Sequence, residues 1–424
     1  MSMPRILLTN NHLHDFAGSE MVTLELAEEF LARKWDVEVY THLLDLPISA
    51  EFERLSASAS VRVFDDPEDF VPGQYDLVWI HHSVLPPSLI ERLTEDSGRT
   101  RVVWHHMAAL PNIEAALFPD IEAAIADRIS SVSSRTRDLL IEYGLPDDRS
   151  FILPNPVPRT FLEPAKTRPG TDLQTILIIS NHPPDELLEA AELIRLQGIA
   201  VRRIGGSTPE RVTPDSFEGV DAVVTIGKSV QYALCLGIPV YNYDHFGGNG
   251  WIEETNFEQE RISNFSGRST FRQISAEQIT EEVRSGFSQA REFAQARIDR
   301  HRDAFGVVGH LDQLLGSLEA DTGANTTSLS TAQALRWKTH LHLQRQNTRG
   351  LYWERNQRLA LEAALEDLRA RCRNLEEENT TLREQNDALQ ERLLSLEHSR
   401  ALRVGQAALR PLRWARRMIQ DRKE

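Results

Sequence analysis

Between residues 221 and 251, apolar and polar positions fall in blocks rather than in strict alternation. The run Ala222-Val223-Val224-Thr225-Ile226 is short, β-branched and unbroken, as in a strand buried on both faces. Gly227-Lys228-Ser229 then turns the chain into a short helix over residues 230–236. Gly237 ends that helix, Pro239-Val240-Tyr241 opens another strand, and a second glycine turn follows. Such a segment leaves backbone N–H groups and a helix N-terminus at the carboxyl edge of a parallel sheet, a place that suits a phosphate. A plain βαβ crossover carries the same pattern, so the rest of the chain has to decide between them.

The same grammar runs from the start of the chain. Strands are predicted over residues 5–9, 37–41, 61–64, 76–80, 101–104 and 128–132, with amphipathic helices over 19–32, 87–93 and 134–143. A proline-rich stretch over 151–161 and a polar linker over 163–172 interrupt it. Periodicity resumes with a strand over 175–179, a helix over 185–197 and a strand over 200–204. This predicts an α/β chain of two facing Rossmann-like, doubly wound domains, residues 1–160 and 161–320, with a cleft between them.

The pattern then changes. Beyond a linker and helical segment over 321–350, leucine recurs at every seventh position: Leu361, Leu368, Leu375, Leu382, Leu389 and Leu396. Leu365, Cys372, Asn379, Asn386 and Leu393 occupy the other core position of the heptad. Residues 351–398 therefore read as a leucine-zipper coiled coil, and its asparagines favour a parallel homodimer in register through 361–396. The flanking pairs Arg371 with Glu376, Glu378 with Arg383, and Arg392 with Glu397 are all attractive across such a dimer. Residues 399–424 form a basic tail in which eight arginines and lysines interleave with apolar residues and Trp414, as in a helix lying on an anionic membrane surface.

Composition narrows the function. A net charge of -16 over 424 residues argues against a nucleic-acid coat, and residues 336–358 lack the dense basic helix that enters a major groove. The two cysteines, Cys235 and Cys372, stand in no metal-ligand spacing and suit a reducing cytoplasm. No secretory leader and no membrane-spanning run are evident. The expected place is the cytoplasm, with the tail able to hold the chain at the inner face of the cell membrane. Candidate chemistry gathers at strand ends. Gly18-Ser19-Glu20 opens the first long helix, with Ser19 placed to cap it. His81-His82 and His105-His106 follow two neighbouring strands, where a histidine serves as a base near neutral pH. Adjacent histidines on an extended chain point apart, so no dedicated metal site is expected.

These features together resemble the GT-B glycosyltransferases, most nearly the family 4-like enzymes that build cell-surface polysaccharides. The resemblance covers roughly residues 4 to 315. It rests on Gly18-Ser19-Glu20, on Leu153-Pro154-Asn155-Pro156-Val157 and on Gly237-Ile238-Pro239-Val240. It implies a nucleotide-diphosphate sugar as donor substrate, no tightly bound cofactor, and a glycan or lipid-linked acceptor. His106, or failing it His105, is the implied residue at the reacting centre, with Gly18, Ser19, Glu20 and His82 on the acceptor side. On the donor side stand Gly206, Gly227, Lys228, Ser229, Gln231, Asp244, His245, Phe246, Gly247, Gly248 and Arg268, the last as a pyrophosphate partner. Two departures are visible. Tyr232 occupies the place of the glutamate that grips the donor ribose, and Ser180-Asn181-His182 replaces the usual cationic clamp, leaving Lys228, Arg202, Arg203 and Arg268 to supply charge. A non-catalytic GT-B-like scaffold or glycan-binding protein is the alternative, and an epimerase of similar two-domain shape is a third.

Overall fold

The β-branched runs pair into two sheets. A computed structural model describes residues 3–58, 61–70, 75–95, 100–108, 116–163, 169–206, 209–320 and 329–420. The first sheet contains β1 (Arg5–Asn10), β2 (Asp36–Thr41), β3 (Val61–Phe64), β4 (Leu77–His81), β5 (Arg101–His106), β6 (Arg128–Ser131) and β7 (Ser150–Ile152). Its order is β3-β2-β1-β4-β5-β6-β7, all parallel. Helices α1 (Gly18–Ala32), α2 (Ile48–Ser58), α3 (Pro87–Glu95), α4 (Pro119–Ile125) and α5 (Ser134–Glu142) connect the strands. The apolar stripe of α1, including Val22, Leu26 and Phe30, packs with Ile6, Leu8, Val39 and Trp79 in one core layer.

The second sheet contains β8 (Thr175–Ile179), β9 (Ala200–Ile204), β10 (Ala222–Thr225), β11 (Val240–Asp244) and β12 (Gly247–Trp251), in the order β12-β11-β10-β8-β9. Its helices are α6 (Arg159–Leu162), α7 (Asp185–Leu196), α8 (Lys228–Cys235), α9 (Phe257–Ile262), α10 (Ala276–Ala296) and α11 (Ile298–Phe305). Helix α12 (Val307–Ala320) crosses back and buries Val307, Leu311, Leu314 and Leu318 in the core of the first sheet.

Four details differ from the sequence reading. His81 is the last residue of β4, and His105 and His106 both lie within β5, so these histidines end strands rather than follow them. The three residues of β7 and the helix α2 carried no readable period. The stretch from Gly247 to Trp251 is an antiparallel edge strand rather than a turn. Its glycines are steric necessities, since a Cβ would meet Arg272 O at 2.2 Å from Gly247 and Asn242 O at 1.9 Å from Gly248. Lastly, α1 starts at Gly18 behind Ala17 with no side-chain cap, so Ser19 does not cap it.

Helix α13 (Thr331–Glu397) begins as part of the first unit, which ends at Arg349. Trp337 is fully buried, stacks on Trp104 with ring centroids 5.2 Å apart, and donates Nε1–H to Ser83 O at 2.9 Å. Gln344 donates to His82 O, Thr348 to Asn11 Oδ1, and Arg349 to His42 O and Asp65. These partners lie at or just past the carboxyl ends of β1 to β4, so the first turns of α13 roof that edge of the sheet. The cations of residues 336–349 are therefore engaged within the protein rather than presented to nucleic acid.

The second unit, from Gly350 to Glu424, contains the rest of α13 and helix α14 (Arg400–Gln420). All six heptad leucines are exposed, at 56–70% of their surface. Along α14, Val404, Leu409, Leu412, Trp414 and Met418 are exposed as well. Among the described residues, no helix is long and apolar enough to cross a membrane. Residues 164–168 and 321–328 of the expected linkers, and Arg422 and Lys423 of the tail, lie outside the described residues.

Candidate functional site

The carboxyl edges of the two sheets face a cleft of about 360 Å³. Phe16, Ala17, Gly18 and Met21 from the start of α1 form one wall. The other wall brings together Ser180, Asn181 and His182 after β8, Gly205 after β9, Gly227 to Ser229 after β10, and Asp244 and His245 after β11. Gly227 takes φ 64° and ψ -132°, a region closed to side chains with a Cβ, and turns β10 into α8. It provides no side chain to cap the helix, so the positive end of α8 opens onto the cleft.

The sequence-expected donor residues divide into two groups. Gly227, Lys228, Ser229, Asp244 and His245 line the cleft. Asp244 is fixed there by Ser180 Oγ at 2.9 Å and by the His245 N–H at 2.8 Å. Gly206, Gln231, Phe246, Gly247, Gly248 and Arg268 do not line it, and Gly205 stands where Gly206 was expected. Gln231 is buried and donates to Asn264 Oδ1 at 3.3 Å. Phe246 packs under the Arg268 guanidinium, 3.9 Å from its ring centroid. Arg268 lines a separate cavity of about 90 Å³ rather than the expected pyrophosphate position. Arg202 and Arg203 are exposed and also stand off the cleft.

Lys228 is already neutralised. Its Nζ lies 2.6 Å from Glu25 Oε2 on α1 and donates to Pro156 O at 2.6 Å. Tyr232 donates its hydroxyl to Glu25 Oε1, and its ring stacks on Phe161 at 4.2 Å. All three groups are buried. Burial pushes the Glu25 carboxyl up and the Lys228 ammonium down, with the attraction between them opposing both shifts. Tyr232 therefore has a definite partner in the place expected for a ribose-gripping glutamate. Glu25 gave little signal in sequence, being one of four glutamates on a helix read by its apolar stripe.

On the acceptor side, Gly18 is exposed and lines the cleft, Ser19 and His82 are half-buried, and Glu20 is a buried support. Glu20 accepts the N–H groups of His14 and Asp15, each at 2.8 Å, and burial raises its carboxyl to about 7. The donor atoms of His12, His14 and Glu20 lie within 4.8 Å of one another, a grouping the sequence reading did not anticipate. His82 has φ 55° and contacts Asn10 Oδ1 through Nδ1 at 3.1 Å. His81 and His105 meet edge to face at 5.1 Å. His106 is 2% exposed and bonds through Nε2 to Glu122 at 2.9 Å. Neither His105 nor His106 lines the cleft. Burial also holds His81 down at about 4 and His105 well below the ordinary imidazole value. A base for neutral pH needs a value close to 7, so His105 is poorly suited to that task.

The two-sheet arrangement with its returning helix is the GT-B architecture implied by the resemblance. Residues 16–161 match the sequence profile of Glycosyltransferase Family 4. No curated protein matches the chain. Among solved structures, HepE of Anabaena in complex with UDP and glucose is 15% identical, with 75% of this chain and 100% of that one covered and a TM-score of 0.49. A putative UDP-N-acetylglucosamine 2-epimerase of Listeria monocytogenes is 13% identical, covering 76% and 96%, with a TM-score of 0.40. WaaG, a glycosyltransferase involved in lipopolysaccharide biosynthesis, is 12% identical, covering 71% and 99%, with a TM-score of 0.37.

The Glu25–Lys228 pair should dominate the stability of the cleft. Lys228→Met strands a buried carboxylate and is expected to cost about 3–5 kcal/mol in chemical denaturation. The double variant Glu25→Leu/Lys228→Met should lose clearly less than the sum of the two single changes. Additive losses would refute the pairing.

Proposed function

We propose that the chain transfers a sugar from a nucleoside-diphosphate donor to a glycan or lipid-linked acceptor in cell-surface polysaccharide synthesis. The observation that carries this reading is the uncapped α8 N-terminus behind Gly227, opening onto the cleft between the sheets. Donor cleavage leaves charge on the departing diphosphate, and stabilising that charge is the main electrostatic task of such a site. Backbone N–H groups at Lys228 and Ser229 are placed to receive it, with Asn181, His182 and His245 alongside. The sugar then projects towards the wall made by Ala17, Gly18 and Met21. Buried as they are, His105 and His106 serve in this reading to shape the edge of the first sheet.

One observation favours the scaffold alternative. Among the described residues lining the cleft, Lys228 is the one lysine or arginine, and Glu25 neutralises it. A cleft without a free lysine or arginine relies on backbone dipoles and on the polar side chains of Asn181, His182 and His245. Nucleotide binding separates the two readings. Titration calorimetry with uridine and guanosine diphosphates is expected to show binding of one of them. Gly227→Ala should weaken it at least tenfold, because Ala cannot adopt the turn that aims the N–H groups. The absence of binding by every nucleoside diphosphate would leave the scaffold.

The exposed heptad leucines support a parallel homodimer. Leu375→Glu with Leu382→Glu is expected to halve the mass in sedimentation equilibrium. An unchanged mass would rule the zipper out as the dimer contact. The exposed apolar and basic residues of α14 support a peripheral position on an anionic membrane. Truncation after residue 398 should abolish co-sedimentation with phosphatidylglycerol vesicles, and retained binding would place the anchor elsewhere.

A further inference from the structure

The second cavity has no role in the donor reading. It lies between the ends of β5 and β6 and the loop after α9, with Ser133, Arg135 and Thr136 on one side and Asn264 and Arg268 on the other. Arg135 sits in the first turn of α5, where no acidic residue offsets the positive end of the helix. Arg268 carries a buried Nε without a hydrogen-bond partner. No carboxylate is among the described residues lining the cavity. Two guanidiniums and a helix N-terminus thus converge on a space of about 90 Å³ without a counter-charge among the lining residues. The proximity is felt: burial first, and then the Arg135 charge, disfavour the protonated form of Arg268. Like charges gathered in this way break a local rule of stability, as functional sites do.

The geometry points to a binding site for an anionic acceptor, in which Arg135 and Arg268 fork onto one phosphate group beside the first turn of α5, whose Thr136 N–H is already capped by Ser133 Oγ at 3.3 Å. The size suits a single phosphate and excludes a nucleotide. The position also fits. Helix α13 covers the carboxyl ends of β1 to β4, while this cavity stands at the ends of β5 and β6. Phe271 at its rim is 59% exposed and offers an apolar face to the rest of the acceptor. The word acceptor rests on the transferase reading, whereas the anion site itself does not. A phosphate of this kind comes from a lipid-linked acceptor or from a small soluble one.

The full-length chain should bind inorganic phosphate in calorimetry both alone and when saturated with nucleoside diphosphate. Arg135→Gln and Arg268→Gln are each expected to weaken phosphate at least tenfold and to leave nucleotide affinity within twofold. Arg135 is exposed, so its replacement does not threaten folding. Phosphate that competes with nucleotide, or binds both variants as well as the wild type, overturns the site. If phosphate binds through Arg135 and no nucleotide binds at all, the site stands and the transferase reading falls. Monomeric dioctanoyl phosphatidic acid distinguishes the sources. Binding ten times tighter than inorganic phosphate marks a lipid-linked acceptor, and equal binding marks a soluble one.

Discussion

The buried contact of Glu25 with Lys228 and Tyr232 joins the two sheets at the floor of the cleft. It is the least forgiving interaction in the first unit, because each charge is kept from water and depends on the other. Its neighbours repeat the arrangement in more exposed form. Arg211 reaches Glu28 at 2.8 Å and Glu51 at 3.0 Å, and Arg159 forks onto Glu29 at 2.7 and 2.8 Å. Three glutamates on α1 therefore fasten the first sheet to basic residues of the second domain and its linker. The polar face of one helix sets how the two sheets oppose each other.

That solution has a chemical consequence. A lysine at the start of α8 is well placed to meet a diphosphate, yet here it is spent on structure. Anion recognition has to come from elsewhere. In the proposed reading the backbone around Gly227 supplies it in the main cleft, through oriented N–H groups that need no neutralising partner. In the second cavity it comes from arginines that have not been paired off. The division follows in part from burial: a cation deep between the sheets requires a counter-ion, while Arg135 at the rim is exposed to water and Arg268 is only half-buried.

The sheets and the glycine turn were legible because each depends on local pattern. Continuous β-branched runs marked β8 and β10, and Gly227 marked the strand-to-helix corner. The pairings across the cleft were not legible. Nothing in the period of α1 distinguishes Glu25, which meets Lys228, from a solvated glutamate, and Arg135 reads as one more polar residue in a short helix. The edge strand β12 was hidden for a different reason. Its glycines disfavour a strand in isolation, and only the close approach of Asn242 and Arg272 shows why they are required. The histidine pairs misled because a strand's last residues and its following loop look alike in sequence, although one is buried and the other is not.

Helix α13 adds a constraint that neither sheet contains. By seating Trp337 on Trp104 and spending Arg349 and Thr348 on the loops after β1 to β3, it closes part of the edge where a doubly wound sheet otherwise takes its ligands. In the proposed transfer, an acceptor approaching the first sheet would thereby be directed away from the His82 end and towards β5 and β6.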